Sequence, residues 1–236
     1  MIRVNKLLNK DVWDTVCDDP SCGEFRVEIK PEVRKALLRI AYDFLEALDP
    51  KMKLTDITLT GSMANYNYTD QSDIDLHVLF DFDAEGENGD LIQDLFNAKR
   101  RIWNDGHDIK VRDHDVELYA QDTNEPHHST GVFSVLRNKW LVVPQRTNPE
   151  IDEEYVLKKS QDIMDRIDFL VDLEDKRSSL QNTKDKIMKM RKAGLERKGE
   201  FAEENLIFKT LRNTGYIGKL NDIIRNEYDR SVSLDQ

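Results

Sequence analysis

The 236-residue chain is 39% hydrophobic and carries a formal charge of −11, with enough apolar side chain for one large or two small folded domains. No apolar run reaches the eighteen or so residues of a membrane-spanning helix, and Met1-Ile2-Arg3-Val4-Asn5-Lys6 is not followed by the apolar block of a secretory leader, so a cytoplasmic protein without membrane association is expected. The charge is uneven, with 14 Lys and Arg against 9 Asp and Glu in residues 176–236 and 21 against 37 before them; so acidic a body argues against gripping long duplex DNA through its phosphates.

In chain order, Cys17 and Cys22 come first. They are the only cysteines, too few for a four-ligand zinc site, and beside Pro20 and Gly23 they read as reduced thiols around a turn. Residues 31–48 then place Val33, Leu37, Leu38, Ile40, Ala41, Phe44, Leu45 and Leu48 at helical spacing behind Pro31, which predicts a helix that backs a sheet. Leu54 to Thr60 reads as a strand ending in Gly61-Ser62, a small-residue turn that lets backbone N–H groups and a hydroxyl approach an anion.

The run Ser72 to Phe80 follows. Strand alternation puts Asp73, Asp75 and His77 on one face and Ile74, Leu76 and Val78 on the other. Two carboxylates about 7 Å apart on one face repel each other unless a cation lies between them. A site made of oxygen donors alone suits a hard ion such as magnesium or manganese. Asp83 to Asp90 is a polar loop, and Leu91, Ile92, Leu95, Phe96, Ile102 and Trp103 mark a crossover helix ending near Gly106. Ile109 to Val111 and Val116 to Ala120 read as short strands, and Val132 to Leu136 with Trp140 to Val143 as a hairpin around Arg137-Asn138-Lys139.

From Pro149 the period is helical throughout. Ile151, Tyr155, Ile163, Ile167, Leu170 and Val171 outline one amphipathic helix, Ile187, Met190 and Leu195 a second, Phe201 to Leu211 a third and Ile217 to Tyr228 a fourth. The expected organisation is therefore an α+β domain over residues 1–148, with a mixed sheet backed by helices, followed by an all-helical domain over 149–236.

Leu59-Thr60-Gly61-Ser62 and Asp73-Ile74-Asp75-Leu76 together resemble the signature of the DNA polymerase β-like nucleotidyltransferase superfamily: an apolar strand, Gly-Ser, a spacer, then acid-apolar-acid-apolar on the next strand. The resemblance covers roughly Pro31 to Val143. It implies a third carboxylate on a later strand, which Asp115-Val116-Glu117-Leu118-Tyr119 supplies. Asp115 and Glu117 share a face, and Glu117 is chosen because it is flanked by Val116 and Leu118 in the apolar part of the strand; Asp115 is the fallback.

The implied activity is transfer of a nucleoside monophosphate from a nucleoside triphosphate such as ATP to a hydroxyl, with two magnesium or manganese ions held by Asp73, Asp75 and Glu117. Gly61 and Ser62 would hold phosphate. The superfamily's acceptors include tRNA and other nucleic-acid ends and a second nucleotide, and also proteins or tRNA for its toxin-type members. Some members only bind a nucleotide or RNA. In size the chain is similar to the small nucleotidyltransferase-domain proteins of bacteria and their phages.

Further candidates are weaker. Asn205, Lys209 and Arg212 fall near one helical face and could contact a triphosphate, although a solvated stripe beside Leu206, Phe208 and Leu211 explains them as well. Lys184, Lys186 and Lys189 read as water-facing. His127, His128 and His77 could border the cleft, and Tyr66 and Tyr68 could stack on a base or pack against the following strand.

Overall fold

In chain order the first part of the molecule runs β1 (Trp13–Cys17), β2 (Arg26–Ile29), α1 (Pro31–Leu48), β3 (Leu54–Thr60), β4 (Ile74–Phe80), α2 (Gly89–Gly106), β5 (Lys110–Val111), β6 (His114–Asp122), β7 (Val132–Ser134) and β8 (Lys139–Val142). The computed structural model describes residues 5–17, 25–48, 53–82, 89–125, 129–146, 149–174 and 176–234. The chain divides into two compact units, Ile2–Thr147 and Asn148–Gln236.

Six strands of the first unit form a sheet in the order β5-β6-β4-β3-β7-β8. β4 and β6 are parallel, as their connection through α2 requires, because a parallel pair needs a crossover and a hairpin cannot join it. The other pairs are antiparallel. Alternation then sorts the side chains. Ile57 and Leu59 of β3, Ile74, Leu76 and Val78 of β4 and Leu118 of β6 are buried in one core with Val33, Leu37, Ile40, Ala41 and Phe44 of α1 and Phe96 of α2. These α1 positions recur at three- and four-residue intervals, which is why an 18-residue helix forms there and seals one face of the sheet.

The antiparallel pair β1–β2 lies in a stretch where no strand is expected from periodicity. Its residues are few and half polar, so periodicity is weak. It is held by aromatic packing: Trp13 stacks on Trp140 with ring centroids 4.6 Å apart, and Phe133 meets Trp13 edge-on at 5.1 Å. The Trp140 indole also donates to the Val27 carbonyl at 2.9 Å. Cys17 is disulfide-bonded, which corrects the expectation of reduced thiols. Cys22 lies outside the described residues.

The second unit is helical, with α3 (Glu153–Val171), α4 (Lys176–Lys198), α5 (Glu203–Asn213) and α6 (Tyr216–Val232). Asp152 caps α3 by accepting the Tyr155 N–H at 2.9 Å. Ile167, Leu180, Ile187, Leu206, Ile207, Leu211 and Leu220 are buried within it. No helix among the described residues is long and apolar enough to cross a membrane.

Candidate active site

The face of the sheet opposite α1 is polar, and register fixes its rows. Across β3, β4 and β6 the first row is Thr60, Asp75 and Glu117, and the second is Thr58, His77 and Tyr119. Residues paired across neighbouring strands point to the same face, so Asp75 and Glu117 stand side by side although 42 positions separate them in the chain. Asp73 lies just before β4, whose ladder pairs begin at Ile74. It lines a pocket of about 250 Å³ together with Asp115, Glu117, Asn104, His107 and Asp108.

The turn after β3 closes on this row. Gly61 has φ +70°, a region open in practice to glycine alone when ψ is extended. A Cβ added there would sit 1.8 Å from the Asp75 Oδ2, so the turn backbone is pressed against the second carboxylate. The Gly61 N–H donates to Ser129 Oγ at 3.2 Å, and the Ser62 hydroxyl donates to Ser72 Oγ at 2.9 Å. Both phosphate-type donors thus have neutral hydroxyl partners.

Asp115 and Glu117 part company in their surroundings. Asp115 is exposed and ion-paired with Lys110, whereas Glu117 is half-buried and level with Asp75. The Tyr119 phenol, two residues on, lies on the same face as Glu117 and interacts with it. Burial, then the charges of Asp75 and Glu117, push that phenol well above its ordinary value, so it stays a donor. The Tyr119 ring is stacked on His77 at 4.6 Å, and the Arg100 guanidinium lies 4.9 Å over it. Asn104 closes the open edge of β6 by pairing with both the N–H and the C=O of Leu118, at 3.2 and 3.0 Å.

Other expected residues fall elsewhere. His77 is tied through Nδ1 to Gln121 Oε1 and stacked on Tyr119, so it belongs to the support beneath the carboxylates. Tyr66 is 1% exposed and packed in the core, which leaves no face for a base; Tyr68 is half-buried. His127 and His128 lie outside the described residues. Asn205 is buried, its Nδ2 donates to the Glu200 carbonyl at 2.7 Å and its Oδ1 accepts from Arg191 at 3.3 Å, so its amide is engaged inside the helical unit. Lys209 is half-buried and Arg212 exposed on α5 of the same unit.

Sequence reasoning missed Tyr119, Asn104, Ser72 and His114. Tyr119 carried a signal, since it shares the face of Glu117 at i+2. The others act through individual hydrogen bonds and leave no periodic trace.

Among the described residues no three of His, Cys, Asp and Glu form a ready ligand cluster. The donor set still fits a hard divalent ion, because magnesium is held by one or two carboxylates with substrate phosphates completing its shell rather than by a dedicated protein cage. The space between the Gly61 turn and Asp75, too narrow for a Cβ, puts a carboxylate directly beside backbone donors.

No curated protein and no solved structure matches the chain. Residues 39–130 match the family model of the nucleotidyltransferase domain. That segment holds Gly61, Ser62, Asp73, Asp75 and Glu117, and the match is consistent with the DNA polymerase β-like nucleotidyltransferase superfamily.

Proposed function

We infer that the protein is a divalent-metal-dependent nucleotidyltransferase that moves a nucleoside monophosphate from a nucleoside triphosphate to a hydroxyl acceptor and releases pyrophosphate. The observation that carries this reading is the row Asp75–Glu117 with the Gly61 turn pressed against it. The acceptor oxygen forms a bond to the α-phosphorus, and the bond from that phosphorus to the α–β bridging oxygen breaks. Pyrophosphate leaves with the electron pair. The hydroxyl proton passes to a base, for which Glu117 is the candidate.

Asp73, Asp75 and Glu117 would hold the magnesium or manganese, which when bound acidifies the acceptor hydroxyl and neutralises charge on the phosphates. The residues of the chain supply the rest. Glu117 is oriented by the Tyr119 phenol. The Gly61 N–H and Ser62 hydroxyl would exchange their partners Ser129 and Ser72 for phosphate oxygens, a favourable exchange because charge-assisted hydrogen bonds are roughly twice as strong as neutral ones. Acceptors in the class of a nucleic-acid end, tRNA or single-stranded, or a second nucleotide fit the acidic composition better than long duplex DNA.

The test is incubation with magnesium or manganese and each α-labelled triphosphate, alone and with total tRNA or a single-stranded oligomer. Label in polymer or in a nucleotide dimer is expected, and Asp73→Asn should abolish it. Triphosphate binding with no label transfer under any condition would instead mark a nucleotide-binding module.

A further inference from the structure

Asp73 stands outside the β4 ladder, so the peptide that precedes it must be held by other means. Ser72, 4% exposed, is gripped on every polar atom of its side chain and carbonyl. Its hydroxyl accepts from the Thr69 N–H and from the Ser62 hydroxyl, each at 2.9 Å. Its carbonyl faces Nδ1 of His114, also at 2.9 Å. The Ser72 carbonyl and the Asp73 N–H belong to one planar peptide unit, so the imidazole that fixes the former orients the latter.

The Ser72 carbonyl, an acceptor only, requires a proton on Nδ1 of His114. Asn9 Oδ1 accepts the Asp11 N–H at 2.7 Å, so the Asn9 amide turns its Nδ2 to His114 Nε2, at 3.4 Å. The Asp11 carboxylate also faces Nε2, at 3.7 Å, while on the other side of the ring the Ser72 carbonyl has no hydrogen to give. Nδ1 then bears the hydrogen, and the Ser72 carbonyl can only accept it. Both side chains are buried, Asn9 at 4% and His114 at 6% exposure. The segment that carries Asn9 is itself strapped to the Gly61–Tyr68 loop: Asn5 Nδ2 donates to the Tyr68 carbonyl at 2.8 Å and Trp13 Nε1 to the Met63 carbonyl at 2.7 Å.

His114 is delivered by a tight turn. It follows a two-residue hairpin turn in which Arg112 and Asp113 have φ of +53° and +65°, the conformation of a type I′ turn, which glycine and asparagine usually occupy. Such residues persist only where their surroundings over-determine them. Arg112 is clasped by Glu32 of α1 at 2.6 Å.

We propose that His114, set by Asn9, is a positioning residue for the nucleotidyl-transfer site: it holds the Ser72–Asp73 peptide so that Asp73 reaches the metal beside Asp75 and Glu117. The inference rests on the reading of Asp73 as a metal carboxylate. It adds that residues 5–13, upstream of the segment matched by the family model, help to build the site.

Mn²⁺ binding to the full chain, measured by electron paramagnetic resonance with a non-hydrolysable triphosphate analogue, tests it without relying on turnover. His114→Leu should weaken Mn²⁺ binding roughly ten- to hundredfold, as loss of a partner that orients a ligand does. His114→Asn keeps a short amide donor and should lie closer to the parent than to His114→Leu. A purely structural histidine would lower the melting temperature and leave Mn²⁺ affinity of the folded protein unchanged, and that result would overturn the proposal. Should His114→Leu fail to fold, ¹⁵N NMR of the parent chain decides: the Nδ1–H tautomer of His114 is expected, and an Nε2–H tautomer overturns the role. Asp73→Asn separates the layers. Mn²⁺ binding indifferent to Asp73 would sink the reading beneath the proposal, whereas dependence on Asp73 with none on His114 would sink the positioning role alone.

Discussion

Replacing Gly61 with alanine is the sharpest local test of how the turn and the carboxylate row depend on each other. An alanine at φ +70° leaves the region that L-residues tolerate, and its Cβ would lie 1.8 Å from the Asp75 Oδ2, roughly 1 Å or more inside any acceptable contact. The backbone strain costs about 1–3 kcal/mol and the overpacking a further 1–3 kcal/mol, so urea unfolding should show a loss of about 2–6 kcal/mol. Relief of the clash must displace either the turn or the Asp75 carboxylate by about 1 Å, and a misplacement of that size at a reacting centre costs about a hundredfold in rate. Pyrophosphate release, normalised to folded protein, should therefore fall about a hundredfold. A Gly61→Ala variant with the parent's unfolding midpoint and turnover would refute the close packing of turn and acid.

Other expectations follow from separate parts of the molecule. Trp13→Ala removes a 1% exposed indole that stacks on Trp140 and donates to the Met63 carbonyl; it should cost about 3–5 kcal/mol, read by denaturant unfolding, and a loss below 1 kcal/mol by about that measure would contradict the strap. Asn205→Ala should lower stability by about 1–3 kcal/mol through loss of its buried hydrogen bonds to the Glu200 carbonyl and from Arg191, with triphosphate affinity unchanged; a selective loss of affinity would support the phosphate-binding expectation. Asp168 accepts from Lys219 and Tyr216, which hold its carboxyl below its ordinary value of 3.8, while the same contacts raise Lys219 and Tyr216 above theirs. A lowered carboxyl stabilises the fold above its ordinary pKa and the benefit is lost as pH falls through the folded value; the raised Lys and Tyr lose theirs as pH climbs through their folded values. The melting temperature of the parent should exceed that of Asp168→Asn across roughly pH 5–9 and the gap should close at both extremes; a gap independent of pH would contradict the clasp.

Much of this fold could be read from the chain because its main elements announce themselves by period. The 31–48 helix and the acid-apolar alternation after Ser72 each repeat a pattern several times, and the buried positions largely follow it, whereas the strand before Gly61 is buried on both faces from Asp56 onward. Parallel pairing of β4 with β6 is not local, yet the crossover helix between two apolar runs implied it. What escaped was carried by single contacts. The bond from His114 to Ser72 spans 42 positions and that from Asn9 to His114 spans 105; a buried histidine and a buried asparagine look, in sequence, like any polar residues beside a turn. Asn205 shows the converse. Helical spacing put it near Lys209 and Arg212, but the depth of α5 in the bundle, set by Leu206, Ile207 and Leu211, turned the amide inward. The β1–β2 pair was hidden because its stability comes from aromatic rings contributed by β7 and β8 rather than from its own alternation.

The central claim is that the carboxylates beside the Gly61 turn perform nucleotidyl transfer. Pyrophosphate release by the purified parent chain and by Asp75→Asn, with magnesium or manganese, a triphosphate and total tRNA or single-stranded oligomer, measures it directly. Release by the parent that the variant lacks while keeping the parent's circular dichroism is the predicted result; equal release by both proteins would contradict it.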